Sequence, residues 1–185
     1  MRTRVGYCGG RKEHPTYHDL GDHTEAISLD YDPSAISYKQ LLDLFWSSHR
    51  CDRTNGSLQY MNAIFYRNDE QKALAQASLV KRASQIGIAE SGIQTAVVPV
   101  HIFTYAEVYH QKYYLTRYAE LREFLNNVYP DGKSLGDSAV ATLLNAYLGS
   151  GMERNWELFR KELNAFGLPE KLELALRKTA DAQIS

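Results

Sequence analysis

Apolar and polar positions alternate along "HTEAISLDY" (His23 to Tyr31): Glu25, Ile27, Leu29 and Tyr31 fall on one face, and Thr24, Ala26, Ser28 and Asp30 on the other. A period of two predicts a half-buried strand, and it puts a carboxylate, Glu25, on the more apolar face. "TRVGY" (Thr3 to Tyr7), "YMNAIFY" (Tyr60 to Tyr66) and "IQTAVVPV" (Ile93 to Val100) read as further strands, with Pro99 marking an edge or an end of the last. The spacing becomes helical in "SYKQLLDLFWSSH", where Leu41, Leu42, Phe45 and Trp46 form one stripe, Ser37 caps and Gln40 occupies the capping-box position. "NDEQKALAQASLVKRASQ" repeats that signal with Asn68 as the cap and Gln71 three residues on. From Tyr105 the chain turns helical through "YAEVYHQKYYLTRYAELREFL", and the remainder reads as three short helices broken at Gly149, Gly151 and Gly167. The order strand, strand, helix, strand, helix, strand predicts an α/β (α+β) fold, a two-layer mixed sheet with packed helices and a helical continuation.

At 185 residues and 44% hydrophobic composition, one substantial core is expected. The 21 basic and 22 acidic residues are interspersed and leave a net charge of -1, an arrangement that argues against nucleic acid or anionic lipid as a partner. No apolar run has the length of a membrane span and "MRTRVGYCGG" has no signal-peptide h-region, so a monomer in the cytoplasm, with no membrane partner, is the expectation. Two cysteines, Cys8 and Cys51, are too few for a disulfide scaffold and lack metal-ligand spacing with histidine; no metal site is expected.

Glu25 is the first candidate for chemistry. A carboxylic acid on the inward face of a strand is desolvated, which raises its pKa and suits a general acid; the structural alternative is an ion pair with a nearby arginine or lysine. Tyr17 and Tyr60 flank it in sequence, and packing at a sheet edge is the ordinary role of such tyrosines. Cys51 in "SHRCDR" lies just beyond a helix end between Arg50 and Arg53, which would support a thiolate, and otherwise reads as a surface cysteine. Cys8 in "VGYCGG" has no charged neighbour closer than Arg4 and Arg11 to lower its pKa. His49 and His110 read as helix histidines without a partner at ligand spacing.

Taken in order, "VGYCGG", "PTY", "HTEA", "YDP", "SYKQLLDLFW", "QYMNAIF" and "AEVYHQKY", spread over Arg2 to Leu115, resemble the class A peptide methionine sulfoxide reductases (MsrA). The resemblance implies a ferredoxin-like core, here missing its first strand and helix, over residues 1–129, with a helical C-terminal extension over 130–185. It implies reduction of methionine S-sulfoxide, free or in proteins, with no bound cofactor and with thioredoxin or another dithiol as reductant. By the same resemblance Glu25 is the proton donor, and Tyr17 and Tyr60 hydrogen-bond the sulfoxide oxygen. Asn55 stands about where the family commonly has an aspartate. The family's nucleophile lies in a "GCFWG" motif that this sequence does not contain, so no nucleophile is expected in the chain, and Cys8 and Cys51 are poor substitutes. A truncated gene model, through a misplaced start or a misread selenocysteine codon, is the first expectation; an authentic short form that binds without catalysing is the alternative. Without the first strand and helix an edge and an apolar stripe stay uncovered, so the purified chain is expected to be poorly stable or aggregation-prone; a cooperative thermal transition at an ordinary mesophile temperature would count against this.

Overall fold

The computed structural model describes every residue except Asn55, Gly151, Met152 and Ser185, and describes Glu153 and Arg154 without their side chains. Residues 5–107 make one unit, and residues 1–4 with 108–185 make another. In chain order the first unit contains β1 (Arg2–Cys8, whose opening residues belong to the other unit), β2 (Thr24–Asp30), α1 (Tyr38–Ser47), β3 (Ala63–Tyr66), α2 (Asp69–Ile86), β4 (Ala96–Pro99) and β5 (Phe103–Tyr105). The mixed α/β class is as expected, but the strands fall into two sheets, one ordered β2-β1-β5 and one pairing β3 with β4.

Local signals account for most of the boundaries. Ser37 Oγ accepts the Gln40 amide and Gln40 Oε1 accepts the Ser37 amide at 2.8 Å, completing the capping box of α1. Asn68 Oδ1 accepts the Gln71 amide at 2.8 Å to start α2, and Gly87, at φ +72°, ends it in the left-handed conformation that glycine adopts without strain. The predicted strand over 60–66 begins only at Ala63, because Tyr60 and Met61 close a turn by donating to the Ser57 and Leu58 carbonyls. The strand predicted over 93–100 shrinks to Ala96–Pro99, paired in parallel with β3, and α2 supplies the crossover between the two. α1, α2 and this pair enclose a core of Leu42, Trp46, Ile64, Ala75 and Cys51, and Trp46 Nε1 donates to Ser78 Oγ at 2.8 Å. Cys51 is therefore buried, not the surface cysteine expected between its arginines, and Arg50 pairs with Asp52 instead.

β5 (Phe103–Tyr105) was not predicted, and it ends on the residue from which a helix was expected. It is only three residues long, too short to leave a periodic signal, and it exists because β1 pairs with it antiparallel from Gly6↔Tyr105 to Cys8↔Phe103. The approach is close: a Cβ at Gly6 would stand 2.2 Å from the Thr104 carbonyl oxygen, so only glycine fits there.

The second unit holds α3 (Tyr113–Thr116), α4 (Ala119–Val128), α5 (Gly132–Asp137), α6 (Ala139–Leu148), α7 (Glu153–Glu162) and α8 (Glu170–Ile184). The sequence reading allowed three helices after residue 130 where there are four α-helices among the described residues, α5 being the one missed; the expected boundary at 129/130 lies between α4 and α5, inside this unit. Gly149 follows α6 and Gly167 ends the 3-10 turn Leu163–Phe166 as expected; Gly151 lies outside the described residues. Leu115, Leu144, Phe159 and Leu163 are fully buried at its centre. Among the described residues no helix is long and apolar enough to cross a membrane.

One polar group ties this unit together. Lys112 is 4% exposed, and its Nζ donates to the carbonyls of Thr3 and Gly136 and to the hydroxyls of Thr3 and Thr142. Burial, with Arg4 adding to it, pushes its pKa down to about 8. The unfolded chain then holds a proton that the folded unit has released between pH 8 and the ordinary lysine value, so stability rises with pH across that window. Lys112→Met, which leaves buried oxygens without a donor, should cost about 3 kcal/mol in urea unfolding at pH 7. It should also abolish the rise in stability above pH 8 that the unsubstituted chain shows.

Candidate active site

The start of β2 is fixed by hydrogen bonds from both sides. His23 is buried, its Nδ1 accepting the Gly10 amide at 3.3 Å and its Nε2 donating to the Lys12 carbonyl at 2.9 Å, which holds the "CGG" turn against the strand. Asp22 accepts the amides of Arg11 and Lys12, and these two bonds hold its carboxyl below the usual range. Thr24 Oγ1 donates to the Leu58 carbonyl at 2.8 Å and the Glu25 amide to the Gln59 carbonyl at 2.9 Å. Gln59 Nε2 then donates to Glu25 Oε1 at 2.8 Å and fixes the carboxylate. Tyr60 follows Leu58 and Gln59 in the same turn, so these bonds bring it toward Glu25, and both residues line one cavity.

Tyr17 enters from the loop before β2. Thr16 and Asp19 exchange backbone hydrogen bonds that close the loop, and the Tyr17 hydroxyl lies 3.4 Å from the Tyr60 hydroxyl. That separation is long for a pair of hydroxyls, so both are able to turn and donate to a third oxygen set between them. A bond in which Tyr60 donates to Tyr17 favours the neutral phenol and raises the Tyr60 pKa, with burial and the charge of Glu25 adding to it.

Glu25 and Tyr60 line a cavity of about 470 Å³ whose walls are largely apolar, with Tyr38, Phe45, Met61 and Phe103 among them. Cys8 lines it too, but this thiol is 1% exposed and burial pushes its pKa up, against the formation of a thiolate. Cys51 lies in the core between α1 and α2.

The expectation that Glu25 faces inward is corrected. β2 alternates as predicted, but the faces are exchanged: Thr24 is buried and Ala26 and Ser28 half-buried, while Glu25, Ile27 and Leu29 are exposed, Ile27 by 60%. The physical reason is what covers the strand: Thr24 Oγ1 is tied to the Leu58 carbonyl, which turns the small-residue face inward. Asn55 lies outside the described residues. His49 is satisfied on both ring nitrogens, by the Phe45 carbonyl and the Thr95 hydroxyl. Two residues with a part in the site escaped the sequence reading, Gln59 and Glu107. Glu107 Oε1 accepts the Tyr17 amide at 3.0 Å and Oε2 accepts the Tyr7 hydroxyl at 2.5 Å. Each sits inside a quoted motif, "QY" or "AEVYHQKY", and neither has a local pattern that assigns it a partner.

A family model described as "Peptide methionine sulfoxide reductase" matches residues 1–131, which takes in Tyr17, Glu25 and Tyr60. The chain belongs to this family. A relative from Drosophila melanogaster, "Peptide methionine sulfoxide reductase", is 43% identical over 171 residues and the match covers 91% of this chain, so the likeness runs past residue 131 into the helices. "Peptide methionine sulfoxide reductase A5" of Arabidopsis thaliana is 38% identical over 80% of this chain. "Peptide methionine sulfoxide reductase MsrA" of Methanosarcina acetivorans is 42% identical over 69% of this chain and 70% of its own length. The chain spans 66% of the length of the Drosophila relative and 58% of the Arabidopsis one. The fold also matches the crystal structure of Mxr1 from Saccharomyces cerevisiae in reduced form, with a TM-score of 0.54 and 24% identity over 60% of this chain and 68% of that one.

If the Tyr17 hydroxyl is what raises the Tyr60 pKa, Tyr17→Phe should lower the alkaline ionisation midpoint of Tyr60 toward that of a free phenol. Ultraviolet difference titration against the Tyr17→Phe/Tyr60→Phe double variant reads this directly; an unmoved midpoint would separate the two phenols.

Proposed function

We propose that this chain binds methionine S-sulfoxide, free or in a peptide, and serves its reduction to methionine. The observation that carries the reading is one arrangement: two phenol hydroxyls 3.4 Å apart, with a hydrogen-bonded carboxylate on the cavity that one of them lines. A sulfoxide oxygen carries partial negative charge and accepts two hydrogen bonds, and Tyr17 and Tyr60 supply two donors for it. Their donation draws charge from sulfur and makes it more electrophilic. Glu25, taking up a proton from water, relays it to the oxygen as its bond to sulfur breaks.

The overall step is balanced by two thiols: sulfoxide plus two thiols gives thioether, disulfide and water. A thiolate attacks sulfur, the protonated oxygen passes to that thiol as a sulfenic acid, and a second thiol, from thioredoxin or another dithiol, displaces the oxygen as water. Neither cysteine of this chain suits the attacking role. Both are 1% exposed, and the Cys8 thiolate is disfavoured by burial. The thiol burial favours a second reading, in which this chain binds the sulfoxide and catalyses nothing by itself.

One set of measurements tests both. N-acetyl-L-methionine S-sulfoxide amide should shift the NMR signals of Tyr17 and Tyr60, and Tyr60→Phe should weaken binding about tenfold, the effect of one hydrogen bond. With dithiothreitol the chain should give no turnover beyond the reagent alone. Turnover lost on Cys8→Ser or Cys51→Ser would assign a nucleophile to that residue and overturn the non-catalytic reading; absence of any binding would sink the sulfoxide reading itself.

A further inference from the structure

We propose that Glu107 is the positioning residue of the oxygen-binding pair: its carboxylate, held by the Tyr7 hydroxyl, anchors the loop that carries Tyr17 and so sets where the Tyr17 phenol meets Tyr60. The inference rests on the role proposed above for those two tyrosines.

Glu107 lies two residues beyond β5, and the Ala106 amide donates to the Val5 carbonyl at 3.1 Å, continuing the β1–β5 pairing up to its neighbour. Its backbone is thus fixed by the sheet. Tyr7, on β1 opposite Thr104, is 1% exposed and equally fixed. The half-buried carboxylate divides its oxygens, Oε2 accepting from Tyr7 at 2.5 Å and Oε1 from the Tyr17 amide at 3.0 Å, ninety residues away in sequence. The Thr16–Asp19 bonds set the shape of the loop but not where it lies on the sheet. The Tyr17 ring packs against the cluster of Tyr7, Leu20 and Ala106, and apolar contact of that kind is non-directional. The charge-assisted bond from Glu107 is directional, and it acts on the backbone atom next to the side chain that has to be aimed. Through its bond to the Tyr17 amide, the effect of Glu107 on the paired hydroxyls passes by way of Tyr17.

The test labels tyrosine with carbon-13 at Cζ, with Tyr60 assigned by Tyr60→Phe, and follows its ionisation together with titration by N-acetyl-L-methionine S-sulfoxide amide. Glu107→Ala should lower the Tyr60 midpoint as far as Tyr17→Phe does and weaken sulfoxide binding about tenfold. Glu107→Gln, whose amide keeps an acceptor for the Tyr17 N–H, should retain most of both. In the Tyr17→Phe background Glu107→Ala should add less than about a twofold further loss, since two residues acting as one unit are not additive. Losses that multiply, or a Tyr60 midpoint unchanged by Glu107→Ala, would overturn the proposal. Should Glu107→Ala fail to unfold cooperatively, Tyr7→Phe replaces it: a lowered Tyr60 midpoint supports the anchor, and an unchanged one rejects it. If the unsubstituted chain binds no sulfoxide, the functional reading falls, while the titration of Tyr60 still decides whether Glu107 places Tyr17.

Discussion

The hydrogen bonds between the first residues of β2 and the turn at Leu58 and Gln59 decide where chemistry can occur in this protein. A carboxylate on a strand and a phenol on a turn thirty-four or more residues away form a site only if the backbone of one is locked to the backbone of the other. Three bonds do so here, from Thr24 Oγ1, the Glu25 amide and the Gln59 side chain. Each is worth about 1 kcal/mol to stability, little against the entropy of ordering two segments, so their value is in geometry. His23 extends the lock to the glycine turn after β1, and the whole front of β2 becomes a frame on which side chains are aimed.

The aim has a physical cost in the same strand. Locking β2 with Thr24, Ala26 and Ser28 turned inward leaves Ile27 and Leu29 on the open side, where they stay 60% and 37% exposed and forgo part of what burial would contribute. The cavity beside them is lined by consecutive residues of β2, from Glu25 to Leu29, and by Asn62 with the β3 residues Ala63 to Phe65. Lining by consecutive rather than alternate residues means that strand edges, with their backbone donors and acceptors, face the space as well as side chains. Glu25 and Tyr60 therefore stand at the rim of a cleft that is apolar along its walls and polar along its edges.

How far the sequence told this in advance depended on the range of the interaction concerned. Ser37 with Gln40 and Asn68 with Gln71 are signals three residues long, and both helices start where these residues put them. The alternation in β2 is just as local and was legible, but which face packs is decided by the distant segments brought against it, such as Leu58 against Thr24, which no alternation carries. β5 was illegible for the same reason, because its three residues become a strand only through pairing with β1, and Cys51 looked exposed because its arginines are near in sequence while its core neighbours are not. Within the site, Glu25 was legible from the alternation of its strand as well as from motif resemblance, whereas the oxygen-binding roles of Tyr17 and Tyr60 were legible only through that resemblance; the bonds that bring them together join residues too far apart for periodicity to register.

That difference in range also explains why the supporting residues are harder to see than the ones they support. Glu25 and Tyr60 stand out by chemistry, a carboxylate among apolar neighbours and a phenol at a strand's approach. Gln59 and Glu107 are ordinary polar residues whose importance lies wholly in what their side-chain oxygens and nitrogens reach. A half-buried carboxylate that accepts from a buried hydroxyl and a loop amide ties a mobile class of structure to a rigid one. Loops carry binding groups because they are free to vary, and they bind well only where something removes that freedom. In this chain the fixed end of that constraint is the β1–β5 pairing, where Gly6 allows two backbones closer than any side chain would permit, and the aim of Tyr17 follows from it.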